Sequence, residues 1–182
     1  NIGVNYQLVR GTTTVGGLVA GTGAAIDFGV FGVAGSYTVQ ATNATTGCAV
    51  NMFGSANISI NPLPTTYNVT GGGGYCAGGT GVHVGLDGST VGFIYQLWLS
   101  TTLVDAEPGT GAAIDFGFET AAGYYTVVAI DNITGCSAPM NGSATVVINP
   151  LPVVYNVTGG GGYCVGTAGV PVDLAGSDVS AS

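Results

Sequence analysis

Apolar and polar residues alternate along most of this chain with a period of two. The alternation is clear over 81–86 (GVHVGL), Phe93–Leu99 (FIYQLWL), 112–116 (AAIDF), 124–130 (YYTVVAI) and 143–149 (SATVVIN). Such a period puts successive side chains on opposite faces of an extended backbone, so each stretch is predicted as a strand. Residues 65–70, with their counterpart 153–158, read as a strand that opens the series. Glu, Lys and Gln are scarce and there are 34 glycines, so helix signals are missing. The stretch holding Asp105, Glu107, Pro108 and Gly109 is predicted as a loop, and 131–135 (DNITG) as a turn.

The pattern repeats. YNVTGGGGYC at 67–76 recurs 88 residues later at 155–164, and the same offset relates 21–29 (GTGAAIDFG) to 109–117, Cys48 to Cys136, and INPLP at 60–64 to 148–152. Tyr6-Gln7-Leu8 matches Tyr95-Gln96-Leu97 at 89, so one copy carries a single-residue loop insertion. Internal repetition of this kind is recognised before single residues are given roles. It predicts a partial module at 1–66 (later strands), a whole module at 67–153, and the first strands of a further module at 154–182. The tail stops within a few residues of where the head begins, so the chain is expected to be one period of something continuous.

Several short strands per module of about 88 residues predict an all-β fold of tandem immunoglobulin-like β-sandwiches. Gly123-Tyr124-Tyr125 and Gly35-Ser36-Tyr37 place a tyrosine at the start of a long strand, as in a tyrosine corner. INPLP reads as the joint between modules, since proline cannot donate to a ladder and stiffens a linker.

Charge is nearly absent. Arg10 is the single basic residue against nine acids, a net charge of −8. Phosphate binding needs clustered Lys and Arg, so nucleic acid is not an expected partner. Without lysine there is no Walker-type phosphate loop, Schiff base or pyridoxal site, and the glycine runs at 71–74 and 159–162 are read as flexible turns. No stretch of about 18 apolar residues is present, so no membrane insertion is expected, and no signal peptide is recognised. Four cysteines at repeating positions, without metal-ligand clusters, suit disulfides in an oxidising, extracellular setting.

The phrases YCAGGTGV, YQL, GTGAAIDFG, AGYYTV, NITGC and SATVVINPLP resemble the Ig-like repeats of giant surface proteins of Bacteroidota, the gliding-motility adhesin type. The resemblance covers nearly the whole chain. It implies a long extracellular stalk or fibre at the cell surface, and no chemistry. No secretion or anchoring domain of that family is recognisable here.

The cysteines allow two schemes. In one, Cys76 pairs with Cys136 inside the whole module, leaving Cys164 of one chain for Cys48 of the next. In the other, Cys48 pairs with Cys76 and Cys136 with Cys164, stapling adjacent modules. Loop-closure entropy separates them by less than about 1 kcal/mol. Cysteines before the second strand and after the penultimate one can fall at opposite poles, which counts against the first scheme. The resemblance implies a bond within each domain, Cys76–Cys136.

Other candidates have plainer readings. His83 has Pro171 as its counterpart, so it is read as a solvent-facing strand residue rather than a ligand or base. Asp27 and Asp115 recur within AIDFG; calcium binding with Asp105, Glu107 or Asp131 is weighed against strand-end hydrogen bonding, which is favoured because no D-x-D-x-D run occurs. Trp98 faces Val9 in the other copy and is read as core, or else as a contact between modules. Sequons at Asn43, Asn57, Asn68, Asn132, Asn141 and Asn156 are possible glycan acceptors. No histidine recurs to activate a serine or threonine, so an enzyme is not expected, nor is a metal or a cofactor.

The function expected is therefore structural: a repeat of an extracellular filament or surface-adhesin stalk. Its partners are copies of itself, joined head to tail by strand complementation, or it is one stretch of a continuous giant chain. The alternative is an adhesin module gripping carbohydrate or a host surface through the region 98–107.

Overall fold

The computed structural model describes residues 3–179; residues 1–2 and 180–182, the outermost positions of the two partial modules, lie outside it. All regular structure described is β. The chain divides into two compact units, Asn1–Pro62 and Leu63–Ser182.

In the first unit β1 (Val4–Arg10), β2 (Thr13–Ala20), β3 (Gly35–Asn43), β4 (Ala49–Asn51) and β5 (Ala56–Ile58) make a single antiparallel sheet. Its spine is the unbroken ladder between β1 and β3, from Val4 opposite Asn43 to Arg10 opposite Tyr37. Alternation turns Leu8, Tyr37 and Ala41 to one face, where they are buried. Residues 21–34, which contain the first AAIDF, form no strand.

In the second unit, the stretch 67–149 holds two facing sheets. Its strands are β6 (Val69–Gly71), β7 (Gly73–Cys76), β8 (Val82–Leu86), β9 (Phe93–Leu99), β10 (Thr102–Pro108), β11 (Ile114–Glu119), β12 (Gly123–Asp131), β13 (Ser137–Pro139) and β14 (Ala144–Asn149). One sheet runs β10-β9-β12-β14-β7, with β13 also on β12; the other runs β11-β8-β6. Val84, Leu86, Ile114 and Phe116 from the smaller sheet meet Tyr95, Leu97, Tyr125, Val127, Ala144 and Val146 from the larger. Full burial of such side chains stabilises by roughly 1.5–3 kcal/mol each. The result is a β-sandwich over residues 67–149, and the strands predicted at 81–86, Phe93–Leu99, 112–116, 124–130 and 143–149 are found in it as β8, β9, β11, β12 and β14.

Two local expectations are corrected. The loop predicted around Asp105 and Glu107 is the edge strand β10, which returns along β9 through a hairpin with Ser100 at φ 54°. An edge strand needs only one paired side and tolerates acids and a terminal proline, so its sequence looks loop-like. Of the two glycine runs, the one at 159–162 adds no strand beyond Gly159, but the one at 71–74 is no flexible turn either. It carries one extended stretch from the smaller sheet (β6) to the larger (β7), where β7 lies parallel to β14 with Gly73 opposite Val146 and Cys76 opposite Asn149. At the crossing, Gly72 has φ +79°, and a Cβ there would lie 2.6 Å from the Thr145 carbonyl oxygen. Only glycine fits.

The tyrosine at the head of each long strand is held the same way in both units. Tyr125 donates its hydroxyl to the Ala121 carbonyl at 2.9 Å, and Tyr37 donates to Val33 at 2.8 Å. Beyond residue 153 a short antiparallel pair follows, β15 (Val157–Gly159) with β16 (Val172–Leu174). Among the described residues these two strands pair only with each other.

Candidate assembly surface

An 88-residue shift lays β15 and β16 on β6 and β8. Val69↔Leu86, Thr70↔Gly85 and Gly71↔Val84 in the sandwich become Val157↔Leu174, Thr158↔Asp173 and Gly159↔Val172 in the tail, register for register. Smaller fittings repeat as well. The Tyr67 hydroxyl meets Thr90 Oγ1 at 3.0 Å, while that of Tyr155 donates to Oδ1 of Asp178, the counterpart of Thr90, at 3.0 Å. The surroundings differ entirely. Val84 and Leu86 are 0% and 1% exposed, but Val172 and Leu174 are 71% and 54% exposed. The tail is a strand pair whose apolar face, equivalent in register to the core face of β6 and β8, is exposed.

The first unit has the opposite deficiency. A groove of about 650 Å³ opens on its sheet, lined by Ile26, Phe28, Tyr37, Val39, Met52 and Ile58 among others. By the same shift these are Ile114, Phe116, Tyr125, Val127, Met140 and Val146, all members of the closed core of the sandwich. There the space above them is filled by Val84 and Leu86 of β8, with Val69 of β6 packed alongside. Residues 26–31 correspond to β11, whose ladder partner is β8, Ile114 opposite Leu86. Among the described residues no strand pairs with 26–31, and a strand with no neighbour to bond to does not form.

The cysteines are unpaired, with Cys48, Cys76 and Cys164 exposed and Cys136 half-buried. The ladders put Cys76 and Cys136 at opposite poles of the sandwich. Cys76 is level with Asn149, at the downstream pole where the chain leaves. Cys136 closes the Asp131 turn at the upstream pole, its carbonyl accepting from Asp131 N at 2.9 Å. They are separated by roughly ten residue steps, on the order of 30 Å, whereas a disulfide requires Cα atoms about 4.4–6.8 Å apart. The pairing of Cys76 with Cys136 is therefore corrected: no bond within the sandwich is possible.

The remaining candidates are placed as follows. Trp98 alternates with the core residues Tyr95 and Leu97, so it lies half-buried on the outer face of the larger sheet and not in the core. Its Nε1 is buried without a hydrogen-bond partner among the described residues. His83 is half-exposed with Nδ1 2.7 Å from Asp115 Oδ2, and its ring lies 4.0 Å from that of Phe118. The bond from His83 holds the Asp115 carboxyl below its ordinary range, helped by the Gly117 N–H. Asp27 accepts from Gly29 N, Asp105 from Ala106 N, and Asp131 from Ile133 and Thr134 N. Those turn bonds, Thr134 first, lower the Asp131 pKa. Glu107 is half-buried on β10, and among the described residues no three His, Cys, Asp or Glu side chains gather as a metal site.

Asn57, Asn68, Asn132, Asn141 and Asn156 are exposed; Asn43 is half-buried and caps a turn through Thr45 and Thr46 N. Asn68 is also clamped to Asp87, its Nδ2 donating to Oδ2 at 2.7 Å. Among the described residues no helix is long and apolar enough to cross a membrane. No family model, curated protein or solved structure matches the chain.

Proposed function

We propose that this chain is a structural repeat of an extracellular filament or surface stalk, built from immunoglobulin-like modules of about 88 residues. Strands equivalent to β6 and β8 close the open sheet of the first unit. They come from β15 and β16 of another copy, or from the preceding repeat of a longer polypeptide. The observation that carries this reading is the matched deficiency. The tail presents bare core residues in the register of the finished sandwich, and the first unit presents a groove lined by the counterparts of the residues that β6 and β8 cover. The tyrosine bonds Tyr37–Val33 and Tyr125–Ala121 support the immunoglobulin-like assignment of both modules.

Added strands bring both ladder bonds and alternate side chains for the pockets below, which is how donor-strand partners gain affinity and specificity. A head-to-tail contact between unlike surfaces does not close on itself and grows into an open fibre. Because β15 and β16 are already paired, part of the ordering cost is met before docking. Leu174→Asp tests the reading. The variant should stay monomeric by light scattering and electron microscopy at concentrations where the unaltered chain forms filaments. Filaments of normal length from Leu174→Asp would sink it.

A further inference from the structure

Resting on that reading, with a second copy of the chain as the occupant, we infer that the four cysteines form two disulfides between successive copies: Cys76 with Cys48 of the next copy, and Cys164 with Cys136 of the next copy. In each module one thiol stands at the downstream pole and one at the upstream pole. Cys76 belongs to the first kind, level with the strand end Asn149 from which the joint departs. Cys164 is its counterpart, and the turn it starts is the same, Thr167 N donating to the Cys164 carbonyl as Gly79 N does to Cys76. Cys136 and Cys48 belong to the second kind. Each closes an Asx turn, its carbonyl accepting from Asp131 N and Asn43 N respectively at 2.9 Å.

Two thiols at opposite poles of one module cannot meet, but in a head-to-tail array the downstream pole of each module faces the upstream pole of the next. The joint limits the gap. From Asn149 to Tyr155 the chain spans at most about 20 Å. The turn carrying Cys136 overhangs that gap, because Tyr67, where the chain comes in, is level with Asn141 and therefore further into the module. Cys48 lies at the pole of its sheet remote from β5, where the first unit leaves, and Cys76 lies at the pole remote from Tyr67.

Assembly makes the partners available. When β15 and β16 of one copy complete the first unit of the next, Cys164 stands at the downstream pole of that composite module, facing Cys136. Cys48 of the composite faces Cys76 of the first copy. Each bond is a two-electron oxidation. Two thiols lose two protons and two electrons, one S–S bond forms, and a small-molecule disulfide such as an oxidised dipeptide thiol is reduced to two thiols.

Paired double variants of the full chain decide it, assembled with that oxidant and run on non-reducing denaturing gels. Cys48→Ser with Cys76→Ser should keep the covalent ladder, through Cys164 and Cys136. Cys76→Ser with Cys136→Ser should lose it. Bonds inside modules would give the reverse, and that result overturns the inference. Peptide mapping of filaments grown from an equal mixture of light and heavy-nitrogen chains should find mixed-isotope Cys48–Cys76 and Cys136–Cys164 peptides in about half of the linked pairs. Same-isotope pairs alone would overturn it. Filaments with four free thiols would overturn the disulfides and leave strand complementation standing, whereas absence of both filaments and bonds would take down the filament reading itself.

Discussion

Glu119 is buried on β11, where the other copy carries Phe31. Burial is the main cause of its raised pKa, with a hydrogen bond from Tyr125 opposing and Asp105 adding to the rise. The folded state thus binds this proton more tightly than the unfolded chain does. The stability it contributes is complete below the unfolded value near 4.5 and is lost as pH rises through the higher folded value. Glu119→Gln should therefore be more stable than the unaltered chain at pH 7, with the difference shrinking toward pH 4. Unfolding followed through Trp98, the sole tryptophan and a resident of the same sandwich, reads this directly. Tyr125 is fully buried with its hydroxyl on Ala121, so Tyr125→Phe should lower the denaturant midpoint of that transition by about 1–2 kcal/mol in stability.

At the scale of elements, the passage of one strand between two sheets depends on a residue without a side chain. Gly72 and Gly78 share a positive φ, +79° and +81°, but an added Cβ strikes the Thr145 backbone at the first and open space at the second. Gly78→Ala should cost about 1 kcal/mol, the usual penalty for left-handed backbone. Gly72→Ala should cost at least about 3 kcal/mol, because β7 must also part from β14. Equal penalties in urea titrations would show that β7 is not held against β14 at this point.

For the whole molecule, equivalent positions predict unequal outcomes. Leu86 and Leu174 share a place in the repeat, but only Leu86 is enclosed. Leu86→Asp buries an unpaired charge and should destabilise the sandwich by more than about 4 kcal/mol. Under the proposed assembly, Leu174→Asp should leave the Trp98 transition unmoved and abolish polymer formation, measured by sedimentation. A fall in the Trp98 midpoint with Leu174→Asp would mean that the tail is part of the fold of its own chain.

Period-two alternation, turn chemistry and an 88-residue echo are written in the sequence itself, and they were enough to determine the all-β class, most strands of the sandwich, and the tyrosines Tyr37 and Tyr125 near the heads of long strands. Alternation says which residues share a face, but not which sheet a strand joins, which neighbour it has, or which pole its end reaches. So the strand character of Thr102–Pro108, the sheet switch at Gly72, the outward side of Trp98 and the separation of Cys76 from Cys136 were decided by tertiary pairing alone. Outside the hairpins β1–β2 and β9–β10, ladder partners lie tens of residues apart or more than a turn away, and a strand's place is set by the backbone groups it must bond. The same physics bears on residues 21–34: the apolar pattern of a strand is present in Ile26 and Phe28, yet among the described residues no strand lies beside them to pair with, and none forms.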